Sequence, residues 1–216
     1  LTNLLLSQRG SFGDIAASSF GGIVYYTSPD RSSLLEQLQN QSIKVICDAD
    51  WKDLLIERLP EIPNFTLLVG WTGQVAITDS LIQATEKKRK VKTDSAFYKE
   101  FLAKSHAIVQ GLQSAWNIQD IPALQEGIRA NRALLNEFAK VMQLEIETPA
   151  LQTLCNLAEQ VGACAKTSGA GGGDCGICFT QSEQQRQQIE NQWAKAQIQV
   201  LPLTYMLVLS IHLLLK

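Results

Sequence analysis

The sequence has 216 residues, of which 45% are hydrophobic and 19% are charged, and its formal net charge at pH 7 is −2. This length and balance fit a globular protein that buries its own core without disulfides or a structural metal. Nucleic-acid binding depends on an excess of basic residues that neutralise phosphates, so this slightly acidic chain predicts no nucleic-acid partner. The five cysteines are odd in number and follow no secretory signal, which predicts reduced thiols and a cytoplasmic protein.

Short strands are predicted in the first part of the chain. The small residues at positions 10–22 lead into a strand at residues 23–26, which are rich in strand formers. Further strands are predicted over residues 42–50 and 65–73. The charged residues 86–94 then predict a connector.

The spacing of apolar residues becomes helical after this connector. Apolar side chains recur near i, i+4 positions from Phe97 to Leu112. Asp120 and Thr148 are predicted to cap two further helices, and each of these helices has a proline in its first turn. The predicted helices cover residues 97–112, 122–142 and 149–161.

Strands return in the last part of the chain. We predict a strand at residues 163–166, a turn at 169–173 and a second strand at 175–179. A Gln-rich amphipathic helix is predicted over residues 182–196, and a final strand over 198–203. Helices and strands are mixed without strict alternation, which favours the α+β class.

The segment from Ser168 to Asp174 carries the strongest chemical signal, because four of the five residues between its ends are glycine. Such a run costs backbone entropy, so it indicates positive φ angles or the close approach of another group. Successive exposed N–H groups in a turn form a concavity that binds anions. Lys166 adds a positive charge for a phosphate, and Ser168 adds a hydroxyl group. The alternative is a flexible hairpin loop, which composition alone does not separate from an anion site.

The order of the residues excludes two common phosphate-binding loops. In a Walker A loop the lysine follows the glycines, whereas Lys166 precedes them. A dinucleotide-binding loop opens a helix, whereas a strand is predicted after Gly173.

Residues 166–177, KTSGAGGGDCGI, closely resemble the third motif of the GHMP kinases in the form typical of bacterial phosphomevalonate kinases. Three further stretches resemble the same family in the same order: GSFGDIAASSFGG at residues 10–22, VGWTGQVAIT at 69–78 and IETPALQTL at 146–154. The resemblance implies a GHMP kinase fold of the α+β class. It further implies a ferredoxin-like C-terminal domain and a remnant of the N-terminal domain.

The resemblance implies that the glycine segment faces the phosphates of ATP and the phosphoryl acceptor. It implies Lys166 and Asp14 as catalytic residues, with Asp14 beside the acceptor and across from the glycine segment. Ser11 and Gly13 would shape the turn before Asp14. The implied phosphate-binding residues are Ser11, Gly13, Ser168, Gly169, Ala170, Gly171, Gly172 and Gly173.

The implied acceptor affects the role expected of Asp14. A phosphate monoester is mostly dianionic at pH 7, so a strong base is hardly needed to activate it. The harder problem is to bring two anions together, which requires cations and Mg²⁺. We therefore expect Asp14 to position substrate, a lysine or a metal ion rather than to abstract a proton. The alternative is a structural aspartate in a turn or at a helix cap.

Three other patterns are interpreted as mainly structural. Cys175 and Cys178 are three residues apart in a predicted strand, so their side chains point to opposite faces and we expect no metal site there. The basic run Lys87–Lys92 favours a solvated linker over an import signal or a phosphate contact. Residues 71–73 either approach the substrate or, in the case of Trp71, belong to the core.

We also make predictions for the two ends of the sequence. The sequence starts with LTNLLLSQRG, which is typical of the end of a helix, and it lacks the PGK-type and GLGSS-type motifs of the family. We expect an N-terminal truncation, with residues 1–40 as a remnant of the N-terminal kinase domain and 41–204 as the C-terminal domain. Residues 205–216 form an atypical apolar tail, which is too short for the roughly 20 residues of a membrane span. A buried strand or an altered chain end is favoured there over a membrane anchor.

The resemblance as a whole implies ATP-dependent phosphorylation of phosphomevalonate to diphosphomevalonate, in the mevalonate pathway of isoprenoid biosynthesis. ATP and Mg²⁺ are the implied cofactors, phosphomevalonate is the implied small-molecule partner, and no membrane partner is expected. The chain alone is expected to have little or no activity. The alternatives are another GHMP kinase, such as a mevalonate kinase, and a non-catalytic fragment that binds nucleotide or phosphate.

Overall fold

The computed structural model describes residues 11–73, 96–169 and 171–203. Contacts divide this part of the chain into two compact units, one that ends at Glu61 and one that runs from Ile62 to Leu203. Each unit is a group of contacting residues, and the predicted kinase domain boundaries stay a prediction. The predicted connector at residues 86–94 and the apolar tail lie outside the described residues. Within those residues, no helix is both long enough and apolar enough to cross a membrane.

The first unit combines helices with a two-stranded antiparallel sheet. In this sheet Val24 lies opposite Arg58. The predicted strand at residues 23–26 is confirmed, with a shift of one residue. The elements are helix α1 (Gly13–Phe20), strand β1 (Val24–Thr27), helix α2 (Arg31–Asn40), helix α3 (Ile43–Asp48) and strand β2 (Leu55–Arg58).

The strand predicted over residues 42–50 is wrong, because this segment forms helix α3. Ser42 has an extended backbone, and its hydroxyl oxygen accepts a hydrogen bond from the amide of Val45, as an N-cap residue does. The apolar residues Ile43 and Val45 suggested one face of a strand, but both are more than half exposed. Ile46 is the one buried residue of the helix, which a single packed helical turn explains.

Helix α2 and strand β2 are not predicted from the sequence. Helix α2 starts after Asp30, whose carboxylate accepts hydrogen bonds from the amides of Ser32 and Ser33. The same carboxylate pairs with Lys52 at 2.9 Å. A short helix with a single buried residue, Leu34, leaves only a weak apolar pattern in the sequence.

The second unit is built on a four-stranded antiparallel sheet with the strand order β4-β5-β3-β6. Its chain order is the β-α-β-β-α-β order of ferredoxin-like folds, with three described helices in the first connection. The predicted α+β class is thus confirmed, and so are the strands and helices predicted here. The elements are β3 (Thr66–Trp71), α4 (Ala96–Asn117), α5 (Ile121–Met142), α6 (Pro149–Gln160), β4 (Cys164–Thr167), β5 (Cys175–Thr180), α7 (Glu183–Lys195) and β6 (Gln199–Leu201).

The helix caps in this unit follow the sequence prediction. Asp120 accepts a hydrogen bond from the amide of Ala123 at the start of α5. Thr148 accepts one from the amide of Leu151 at the start of α6. Each cap satisfies an amide that has no partner within its own helix.

Glycines at two facing strand positions allow helices α6 and α7 to pack closely on the sheet. Gly70 on β3 lies opposite Gly176 on β5. A Cβ atom at Gly70 would lie 2.8 Å from side-chain atoms of both Leu154 and Trp193, and one at Gly176 would lie 2.6 Å from Leu154. Leu154 and Trp193 are fully buried, and the indole N–H of Trp193 donates to the carbonyl of Leu154 at 3.0 Å.

Helices α4 and α5 form a hairpin joined by residues 118–120. Phe101 stacks on Phe138 with 4.3 Å between the ring centroids. Nearer to residues 118–120, the ring of Trp116 makes an edge contact with the ring of Phe179 in the sheet, and the two ring centroids are 5.8 Å apart. Aromatic contacts therefore join the two helices to each other and the hairpin to the sheet.

Candidate active site

The glycine loop, residues 168–174, is the connection between β4 and β5. Its described glycines are Gly169, Gly171, Gly172 and Gly173, with φ angles of 61°, 76°, 83° and 126°. Residues with a side chain rarely adopt these angles, so the backbone explains why glycine recurs here. The predicted turn is confirmed, although Ala170 itself lies outside the described residues.

Hydrogen bonds close the two ends of the glycine loop. The amide of Ser168 donates to the carbonyl of Cys175 at 2.9 Å. Thr72, just after β3, donates to the carbonyl of Asp174 through both its amide and its hydroxyl group, each at 2.9 Å. The loop is therefore attached to strand β3 as well as to its own hairpin.

The middle of the loop packs against the backbone of Ile146. The amide of Gly172 donates to the carbonyl of Ile146 at 2.7 Å. A Cβ atom at Gly171 would collide with that carbonyl oxygen and would lie 2.6 Å from the Cγ2 atom of Ile146. The Cβ position of Gly169, in contrast, has no neighbour within 4 Å. The loop is thus packed at Gly171 and has space at the Cβ position of Gly169.

Three amides of the loop have no acceptor among the residues that the structure describes. Within residues 11–73, 96–169 and 171–203, no acceptor lies against the amides of Gly169, Gly171 or Gly173. Backbone amides need a hydrogen-bond partner, which solvent, a ligand or a residue outside the described ranges supplies. Three such amides in one turn form the kind of concavity that binds an anion.

Lys166 lies on β4, two residues before the loop. Its ammonium group donates to the carbonyl of Thr167 at 2.9 Å, and no carboxylate among the described residues forms an ion pair with it. Burial lowers the pKa of Lys166 below its usual value, and the nearby Cys155 thiol opposes this shift. A phosphate at the start of the loop would compensate the burial of this positive charge.

The residue after Ile146 is a buried carboxylate. Glu147 is 5% exposed at its side chain and accepts hydrogen bonds from Arg132 at 2.9 and 2.5 Å, and from Asn136 at 2.9 Å. Burial raises the pKa of Glu147, but these hydrogen bonds outweigh burial and hold the pKa below the usual 4.5. Arg132 also donates to the side-chain oxygen of Asn156 at 2.9 Å. The network ties the segment before α6 to helix α5.

The other predicted part of the site, Ser11 to Asp14, belongs to the first unit and begins helix α1. Phe12, the N-cap residue, has a left-handed φ of 65°. The hydroxyl oxygen of Ser11 accepts from the amide of Gly13 at 3.4 Å, and the carbonyl of Ser11 accepts from the hydroxyl group of Tyr26 at 2.6 Å. Asp14 is exposed in the first turn of α1, where the helix dipole favours a negative charge. Its role, and its approach to the glycine loop, stay predictions.

The cysteines of β5 lie in different surroundings. Cys178 is fully buried, whereas Cys175 is partly exposed. Burial raises the pKa of Cys178, and it raises the pKa of Cys155 to about 12, so both thiols are protonated at neutral pH. Among the described residues, no group of three His, Cys, Asp or Glu side chains could hold a metal ion.

Sequence reasoning missed the residues that hold the glycine loop. An approach of Thr72 to the substrate was considered from the sequence, and the structure shows that its hydroxyl group binds the carbonyl of Asp174. Ile146 and Glu147 occur in a stretch that resembles the family, but no role followed from it. An acidic residue directly before a predicted Thr-Pro cap is the sequence signal that could have drawn attention to this segment.

Comparison with known proteins shows which proteins the chain resembles. Residues 108–199 match a family model described as GHMP kinases C terminal. The phosphomevalonate kinase of Streptomyces sp. (strain CL190) is 37% identical over 201 residues, which are 92% of this chain and 53% of that protein.

Two solved structures resemble the fold closely. A Lin0012 protein from Listeria innocua matches with a TM-score of 0.89 and 33% identity, over 94% of this chain and 57% of that one. The Streptococcus pneumoniae phosphomevalonate kinase, in complex with phosphomevalonate and AMPPNP, matches with a TM-score of 0.81 and 27% identity, over 94% of this chain and 58% of that one. The chain thus spans little more than half the length of the proteins it resembles.

Proposed function

Since this chain belongs to the GHMP kinases through its C-terminal domain, we propose that it forms the C-terminal part of an ATP-dependent phosphomevalonate kinase. The proposed reaction moves the γ-phosphoryl group of ATP to the phosphate of phosphomevalonate, so that diphosphomevalonate forms and ADP leaves. This reaction belongs to the mevalonate pathway of isoprenoid biosynthesis. The similarity to the Streptomyces enzyme supports this substrate, and a cytoplasmic location stays a prediction.

The observation that carries the proposal is the glycine loop with its lysine. The loop leaves the amides of Gly169, Gly171 and Gly173 without an acceptor among the described residues, and Lys166 has no carboxylate partner there. Amides and a cation that are fixed in place can stabilise phosphate oxygens without rearrangement during the reaction. We assign this loop to the phosphate groups that come together in the transfer.

Asp14 has a positioning role in the proposed reaction. The acceptor phosphate is already mostly ionised at neutral pH, so no proton has to be removed before it attacks. Mg²⁺, when bound with the nucleotide, would neutralise part of the charge on the phosphates. The exposed carboxylate of Asp14 fits such an ion, since Mg²⁺ usually takes one or two protein carboxylates and keeps several waters.

Calorimetric titration of the isolated chain with Mg-ATP tests the assignment of the loop. We expect Lys166→Met to weaken ATP binding by about tenfold, because a hydrogen bond to a charged group is lost. Lys104→Met is the matched control, since Lys104 pairs with Glu100 on the exposed surface of α4 and should leave the affinity unchanged. Equal affinities in the Lys166 variant and the unmodified chain would contradict the assignment.

Two alternatives remain to be separated by experiment. A non-catalytic fragment that binds nucleotide or phosphate is favoured by the fact that the chain covers only 53% of the Streptomyces enzyme. Another GHMP kinase, such as a mevalonate kinase, would share the loop and differ in its acceptor. Titration with phosphomevalonate and with mevalonate tests the acceptor, since the proposal expects measurable binding of phosphomevalonate only. A non-catalytic fragment is distinguished by turnover, since it would bind these ligands without transferring a phosphoryl group.

A further inference from the structure

The segment between α5 and α6 links a buried ion pair to the glycine loop. We propose that the ion pair between Glu147 and Arg132 positions the glycine loop for phosphate binding, and that it acts through the carbonyl of Ile146. Glu147 is then a positioning residue that need not touch substrate. The inference rests on the proposed function, because it gives the loop a phosphate to bind.

The connection consists of consecutive short contacts. The amide of Gly172 donates to the carbonyl of Ile146 at 2.7 Å. The next residue, Glu147, accepts two hydrogen bonds from Arg132 and one from Asn136, both on α5. The dipeptide 146–147 is therefore held by the loop on one side and by α5 on the other.

The side chain of Ile146 restricts the same dipeptide from a second direction. Ile146 is 7% exposed and packs in a cluster of buried residues with Phe138 and Met142. Gly171 approaches its backbone so closely that a Cβ atom would collide with the carbonyl oxygen. With the Ile146 side chain packed and Glu147 hydrogen-bonded, the direction of the carbonyl between them is fixed.

Stability alone is a poor reason for an ion pair at this place. The side chains of Arg132 and Glu147 are 16% and 5% exposed, so both charges lose most of their hydration. Burying an ion pair often contributes no more stability than well-packed apolar residues would. Three directional hydrogen bonds to one carboxylate, however, fix its orientation in a way that apolar packing does not. Positioning explains the arrangement better than stability does.

A second ion pair of helix α5 provides the control. Arg129 of α5 pairs with Glu159 of α6 at 2.7 Å, and Arg129 also donates to the carbonyl of Ala163. Glu159 lies near the end of α6, whereas Glu147 precedes its start. The carboxylate of Glu159 bonds Arg129 and makes no hydrogen bond to Arg132 or to the loop among the described residues, although its charge still acts on Arg132. Both pairs start from α5, but Arg129 binds a residue of α6, whereas Arg132 binds the residue next to the loop contact.

Hydrogen exchange of the Gly172 amide, followed by NMR in the isolated chain, tests the proposal. We expect Glu147→Gln to speed this exchange by about tenfold or more, because the acceptor carbonyl loses its fixed direction. Glu159→Gln should change the exchange of this amide by less than about twofold. The dissociation constant for Mg-ATP should rise in the Glu147 variant and not in the Glu159 variant.

Different results of these measurements would contradict the positioning role of Glu147 and the proposed kinase function. An unchanged Gly172 exchange rate in Glu147→Gln, or an equal acceleration in Glu159→Gln, would overturn the positioning role. If Glu147→Gln does not fold, Asn136→Ala removes one of the hydrogen bonds to the carboxylate and should still speed the exchange. No acceleration in that variant overturns the proposal too. An accelerated exchange in a chain that binds no ATP would support the coupling of the ion pair to the loop and contradict the phosphomevalonate kinase assignment.

Discussion

Gly169 and Gly171 are close together in the same loop and have similar positive φ angles, 61° and 76°. Their surroundings differ, since the Cβ position of Gly169 is open and that of Gly171 is blocked by the backbone of Ile146. The pair therefore separates the cost of the backbone conformation from the cost of a collision.

We expect Gly169→Ala to lower the free energy of unfolding by about 1–2 kcal/mol, the cost of a left-handed backbone for a residue with a side chain. Gly171→Ala should cost about 1–3 kcal/mol more, because the methyl group has to displace the Ile146 backbone. Urea denaturation of both variants measures the difference. Equal losses would mean that the contact with Ile146 is loose in solution.

At the scale of elements, the packing of α6 and α7 on the sheet depends on the missing side chain at Gly70. We expect Gly70→Ala to lower the free energy of unfolding by about 1–3 kcal/mol, because the methyl group meets two fully buried side chains. These are Leu154 and Trp193, each with an atom 2.8 Å from the added carbon. Thermal and urea unfolding of the variant measure the loss.

Gly111→Ala is the matched control for this prediction. Gly111 lies inside helix α4, where an added Cβ atom has no neighbour within 4 Å. Alanine is a better helix former than glycine by about 1 kcal/mol, so this variant should be more stable than the unmodified chain. A stabilised Gly70→Ala variant would show that the interface with α6 and α7 has room to relax.

Long elements with strong local signals are predictable from the sequence. Helices α5 and α6 have an apolar period, a capping side chain and a proline in the first turn, and all three signals agree. The segment of helix α3 was predicted to be a strand, because its exposed apolar residues Ile43 and Val45 alternate with other residues as in a strand. In so short a segment, the single cap at Ser42 decides the structure, and the apolar pattern does not.

The candidate site was predictable only in part. The glycines themselves indicate a loop with positive φ angles, and the structure has them. The contacts that hold this loop, from Thr72 and Ile146, come from parts of the chain distant in sequence and have no local signature. The ion pair of Glu147 with Arg132 likewise depends on how α5 packs beside α6, which periodicity does not specify.

For the molecule as a whole, the main constraint is electrostatic. Transfer between two phosphorylated molecules requires the enzyme to hold several negative charges in one place. The groups proposed for that task are one lysine and the loop amides that have no acceptor among the described residues, with Mg²⁺ expected from the bound nucleotide. The relatives are almost twice as long as the matched region, since the match covers 53% of the Streptomyces enzyme. We propose that the unmatched half of the enzyme supplies further cationic and amide groups.

The isolated chain should therefore bind Mg-ATP but turn over little or none of it with phosphomevalonate. Losing part of the charge stabilisation at a phosphoryl-transfer site costs orders of magnitude in rate, because each lost donor costs about a hundredfold or more. A coupled assay of ADP release measures the turnover.

The intact Streptomyces enzyme serves as the positive control, and the same enzyme shortened to its matching 201 residues serves as the matched control. Turnover by this chain at the rate of the intact enzyme would contradict the prediction. Full activity of the shortened Streptomyces enzyme would show that the unmatched half is dispensable, and the charge argument would then be wrong.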